Sequence, residues 1–77
     1  MISEKWLGTI KKGEEALKFI REGLAKLSED GHPDAGILRT QLRRLECEFR
    51  DARDDGDGDS EYREIIELAK MVSDRLK

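Results

Sequence analysis

Trp6, Ile10, Gly13, Leu17, Ile20, Leu24 and Leu27 follow one another at alternating steps of four and three residues. At about 100° per residue this spacing returns every one of them to the same side of a cylinder, the pattern of an amphipathic helix with one buried stripe. Two more stripes follow: Ala35, Leu38, Leu42, Leu45, Phe49 and Ala52, then Tyr62, Ile65, Ala69, Val72 and Leu76. A one-sided helix gains most of its stability by laying its stripe against a partner. Three stripes in one short chain therefore predict one shared core.

The breaks between the stripes set the helix ends. Ser3 is a candidate N-cap, with Ile2 placed to pack on Leu7 as a hydrophobic staple, so the first helix is expected over about 3–28. Glu29-Asp30-Gly31-His32-Pro33 supplies a glycine suited to a left-handed C-cap and a proline that cannot continue a helix. Pro33-Asp34 fits a first helical turn, and the second helix is expected over about 34–54. Asp55-Gly56-Asp57-Gly58-Asp59 then disfavours helix through two glycines and a block of like charges. Asp59 or Ser60 can cap a third helix, about 60–77, with Glu61 and Glu64 at the positive end of its dipole. Short links favour antiparallel neighbours, which gives an all-α, antiparallel, up-down-up three-helix bundle forming a single domain over 1–77. Gly8, Gly13 and Gly23 each weaken the first helix by up to about 1 kcal/mol relative to Ala. A four-helix arrangement, broken near Gly13, is the alternative.

Composition bounds the function. At 77 residues, with 43% charged and 5% aromatic residues, the chain suits thin helices and one small core rather than an enzyme with a deep pocket. Lys and Arg are scattered among Asp and Glu at a net charge of −3, so no field favours nucleic acid or an anionic membrane as partner. The single cysteine, Cys47, excludes an internal disulfide and a Cys cluster for a metal. With no long apolar run and no apolar leader after Met1, a cytoplasmic location is expected.

The polar motifs reduce to structural roles. Asp55, Asp57 and Asp59 match the first ligands of an EF-hand loop, but Ser60 stands where that loop needs Gly and Ile66 where it needs a bidentate Glu. Arg39, Arg43, Arg44, Arg50 and Arg53 suggest a basic strip, yet Glu46 with Arg50, Arg50 with Asp54 and Arg44 with Glu48 are four apart and read as exposed ion pairs. His32, the only histidine, reads as a turn or cap residue. Cys47 lies roughly opposite the Leu42-Leu45-Phe49 stripe and reads as an exposed, unactivated thiol. No nucleophile elbow, phosphate loop or carboxylate pair is present, so no catalytic, cofactor-binding or metal-ligating residue is expected. Leu7, Phe19, Ile37, Ile66, Leu68 and Met71 fall off the stripes. Ile66 and Leu68 widen the third face, whereas Phe19, about 130° from its stripe, and Met71 are candidates for a second contact surface, through weak self-association or a protein partner.

Gly13-Glu14-Glu15-Ala16-Leu17 and Gly58-Asp59-Ser60-Glu61-Tyr62-Arg63-Glu64-Ile65 resemble the turn and second helix of a tetratricopeptide-type hairpin. That resemblance implies only a peptide-binding scaffold. The three stripes, short caps and absence of a site also resemble de novo designed helical bundles, particularly ones assembled from natural helical pieces, which would retain Cys47, internal glycines and Phe19. Both resemblances imply a helical scaffold without chemistry of its own.

Overall fold

The computed structural model describes residues 4–56 and 58–77 and contains three helices, α1 (Glu4–Glu29), α2 (Ala35–Asp55) and α3 (Asp59–Leu76). The chain is an all-α, up-down-up bundle in which every helix touches the other two. Consecutive helices are antiparallel, and α1 and α3 run the same way. The stripes meet along the bundle axis and bury Trp6, Leu17, Ile20, Leu24, Leu38, Leu42, Leu45, Phe49, Ile65 and Val72 together.

Helix α1 runs unbroken through Gly13, so the four-helix alternative does not apply. The reason is packing. A Cβ at Gly13 would lie 2.5 Å from Phe49 Cζ, so the missing side chain makes room for a core ring instead of marking a break. Gly23 does the same for α3: a Cβ there would lie 2.5 Å from Val72 Cγ1 and 3.2 Å from Leu76 Cδ1. Burial of these neighbours offsets the intrinsic helix cost of the two glycines.

The third face is wider than its stripe. Leu68, expected only to widen it, is 2% exposed and belongs to the core, whereas Tyr62, Ala69 and Leu76 are partly buried at its edge. Because α3 packs on two helices, its apolar arc must turn toward both. Leu68 borders α2 beside Gln41 and Leu45, and Leu76 borders α1 at Gly23.

Both turns are closed by backbone geometry. Gly31 adopts φ +72°, with His32 N–H donating to Leu27 O at 2.9 Å and Gly31 N–H to Ser28 O at 3.1 Å, the paired bonds of a Schellman cap. Gly56, at φ +76°, ends α2 by donating its N–H to Ala52 O at 2.9 Å. His32 then caps α2 as expected of a turn residue: its Nδ1 accepts the Asp34 N–H at 3.1 Å, while Asp34 makes no side-chain cap bond. His32→Ala should therefore lower stability by about 1 kcal/mol, as loss of an N-cap acceptor does. Urea denaturation of the two proteins measures the difference, and an unchanged midpoint would assign the capping role elsewhere.

The start of α3 corrects an expectation. Neither Asp59 nor Ser60 is the cap; both lie inside the helix, and Gly58 precedes it without a side-chain cap bond. A Cβ at Gly58 would lie 2.5 Å from Trp6 Cη2 and 2.9 Å from Ala52 Cβ, so tertiary contact selects the residue that opens α3. The expected Ser3 cap and Ile2 staple lie outside the described residues.

Candidate functional site

Among the described residues no polar or charged side chain is buried, so any chemistry resides on the exterior. Shallow concavities along the helices and one helix face are the candidates among the described residues. Between α1 and α2, Leu17 and Phe49 floor a cleft rimmed by Glu14, Arg21, Glu46, Arg50 and Arg53. Two ion pairs bridge it: Arg53 Nη1 to Glu14 Oε1 at 2.7 Å, and Arg21 Nε to Glu46 Oε1 at 3.5 Å. Of the three pairs expected along α2, one forms, and one gives way to the cross-helix Arg21–Glu46 bridge. Arg44 does pair with Glu48, at 3.8 Å, but Glu46 turns to Arg21 instead of Arg50, and no Arg50–Asp54 pair forms among the described residues. For Glu46 the packing of α1 against α2 supplies a closer partner than the next helical turn. Exposed pairs of this kind contribute from 0 to about 1 kcal/mol each.

Between α2 and α3, Leu45, Leu68 and Met71 line a second cleft, with Gln41, Arg44, Glu64 and Glu67 at its rim. A third concavity lies on α3 alone, where Tyr62 and Ile66 are flanked by Arg63, Glu67 and Lys70. Arg75 Nε reaches Asp34 Oδ2 at 3.1 Å and ties the end of α3 to the first turn.

Phe19 and Met71, the two residues singled out for a second contact surface, are 43% and 38% exposed. They do not form one patch. Met71 sits in the α2–α3 cleft. Phe19 lies on the flank of α1 that also carries Ala16 and Gly23, and Gly23 abuts Val72 and Leu76, so Phe19 borders the other side of α3. Leu7 and Ile37 are exposed as well, on α1 and α2. Cys47 is exposed, as its helical angle predicts. His32 is half-buried in its cap. Of the acidic loop, Asp55 and Asp59 are exposed and Asp57 lies outside the described residues. Among the described residues no three His, Cys, Asp or Glu side chains converge in a way that could hold a metal ion, and no helix is long and apolar enough to cross a membrane.

The sequence reading missed the residues that link helices from outside. Glu14 and Arg21 neighbour the α1 stripe on its α2 side, and their spacing of seven, two helical turns, was the available signal. Comparison with protein-family models, curated proteins and solved structures finds no match to this chain.

Proposed function

We propose that this chain is a structural helical scaffold, of the kind designed bundles provide, which holds three helices in fixed register and performs no catalysis. The observation that supports this reading most directly is the interlock of small and large residues between helices. Gly13 receives Phe49 between α1 and α2, Gly23 receives Val72 between α1 and α3, and Gly58, at the start of α3, packs closely on both Trp6 of α1 and Ala52 of α2. Such keyed packing gives a single well-ordered arrangement rather than a sliding one. Native-state hydrogen exchange tests the reading. A scaffold should open as one unit, with the core amides of α1, α2 and α3 sharing one opening free energy. Exchange of α3 through a separate, much easier opening would mark it as an element that docks on demand, and the scaffold reading would fail.

The second reading is an interaction module presenting an apolar helix face, favoured by Phe19. Its ring is exposed on the flank of α1 that carries Gly23, which faces α3. Burying a Phe side chain contributes roughly 1.5–3 kcal/mol, enough to draw in a partner. Scattered exposed apolar residues are nevertheless ordinary on small domains. On the scaffold reading Phe19→Ser leaves the mass in solution unchanged and shifts stability by no more than about 0.5 kcal/mol. A melting temperature that depends on protein concentration, and ceases to do so in Phe19→Ser, would instead establish the module.

A further inference from the structure

The groove between α1 and α3 differs in charge from the two clefts that border α2. On α1, with angles counted from the fully buried Ile20, Arg21 and Glu14 face α2 on one side and Gly23 faces α3 on the other. Beyond Gly23, at about −60°, come Lys12, Phe19 and Lys26, at about −80°, −100° and −120°. On α3, counted from the fully buried Ile65, Leu68 borders α2 on one side and Leu76 meets Gly23 on the other. Beyond Leu76, at about +20°, come Tyr62, Ile66 and Lys70, at about +60°, +100° and +140°. Gly23 lies against Val72 and Leu76, and Trp6 against Gly58, so the two parallel helices are in register at an offset of 49 to 53 residues. Lys12 is then level with the turn of Tyr62, Ala16 with that of Ile66, and Phe19 with that of Lys70.

Phe19 and Ile66 are therefore the two walls of one groove, floored by the partly buried Ala16 and Ala69 and by Gly23. In a three-helix bundle each neighbour lies about 30° from the core direction, so both side chains stand about 70° off the line joining the two axes and leave the floor open between them. The rims are basic. Lys12 and Lys26 on α1 and Lys70 on α3 are exposed, and among the described residues none of them makes an ion pair and no ion pair joins α1 to α3. The nearest acids are Glu15, turned further from the groove at about −140°, and Asp59, at the first residue of α3. Glu67 lies beyond Lys70, toward α2. The α1–α2 cleft, by contrast, is bridged by two ion pairs.

We propose that the α1–α3 groove is the docking site for an amphipathic helix of another protein, one whose apolar stripe is flanked on both sides by Glu or Asp. The inference rests on the interaction-module reading above and supplies the chemistry of its partner. The apolar walls call for an apolar stripe, and cations on both rims call for anions on both sides of that stripe. Lys12 and Lys26 are fourteen residues apart, so the groove between them is about 21 Å long and takes about four turns of helix. The same lysines disfavour a second copy. An antiparallel pairing about Phe19 sets Lys12 beside Lys26, each within about 20° of the seam, and a parallel pairing sets each lysine beside itself. A flat anionic bilayer would satisfy the rims but leave the recessed floor at Ala16 and Ala69 uncovered, whereas a helix fills it as a fourth member of the bundle.

The experiment measures binding by fluorescence anisotropy with two labelled peptides, each about four helical turns long. One has leucines at i, i+3, i+4 and i+7 and glutamates elsewhere; in the other, lysine replaces every glutamate. At about 0.05 M salt the acidic peptide should bind about tenfold more tightly than the basic one, and the gap should narrow at about 0.5 M. Phe19→Ser should weaken the acidic peptide about tenfold by removing one wall. Lys12→Glu combined with Lys70→Glu should invert the preference. In the complex, amide chemical shifts should move around Ala16, Phe19 and Ile66 and stay fixed around Cys47, on the outer side of α2. Absence of binding, or shifts centred on Cys47, would overturn the proposal. Equal binding of both peptides would overturn it too; if Phe19→Ser still weakened both, the module reading would stand and only its acidic partner would fall. Vesicles of phosphatidylglycerol that bind where the acidic peptide does not would assign the face to a membrane, and a Phe19-dependent doubling of mass without peptide would assign it to a second copy, either of which sinks the acidic-helix assignment. Helical circular dichroism checks the fold of each variant, and Lys12→Gln with Lys70→Gln, expected to abolish the preference, serves if the double Glu variant is unfolded.

Discussion

Phe49→Ala lowers the free energy of unfolding by about 3–5 kcal/mol, the largest loss expected of a single substitution in this chain. Phe49 is 3% exposed, meets Trp6 edge-on with ring centroids 6.1 Å apart, and fills the space left by Gly13. Removing the ring deletes both contacts at once and leaves a cavity between α1 and α2. A domain of this size has only about 5 kcal/mol to lose, so the variant should be substantially unfolded in buffer, as Trp6 fluorescence and circular dichroism would show. Gly13→Ala separates packing from helix propensity. In the parent the new methyl must displace the Phe49 ring, at a cost of about 1–3 kcal/mol that outweighs the ~1 kcal/mol gained in propensity. Combined with Phe49→Ala, the same methyl enters vacated space and should stabilise by roughly 1 kcal/mol. If Gly13→Ala costs the same in both backgrounds, the contact with Phe49 is not what keeps glycine there.

Gly58→Ala should cost about 2–3 kcal/mol, near the upper end for a single added methyl. Its backbone, at φ −148°, is open to any residue, so the cost is steric. The added Cβ meets the Trp6 ring and Ala52 Cβ, and neither has a flexible end to move aside. Trp6 is further fixed by its Nε1, which donates to Arg53 O at 3.4 Å. The expected result is a melting temperature about 10–20 °C lower in a chain of this length. Trp6→Phe removes the ring atoms that collide with the new methyl, so the double variant should lose less than the sum of the two changes. Strict additivity would count against the proposed clash.

The three stripes were enough to determine the number of helices, their order and most of the core, because helical periodicity and the buried arc are two views of one pattern. Gly31 and Gly56 were legible as turn residues for a local reason, since positive φ is a property of the chain at one position. The sequence also placed Cys47 outside and Phe19 off its stripe by angle alone. Tertiary structure decided the rest. Whether Gly13 breaks a helix or admits a ring depends on a residue 36 positions away, and the start of α3 at Gly58 depends on Trp6 at the other end of the chain. The choice of Glu46 for Arg21 over Arg50, and the promotion of Leu68 into the core, follow from which helix lies alongside. Periodicity fixes the direction in which a side chain points from its own axis, but the neighbour it meets there is set by the packing of all three helices at once.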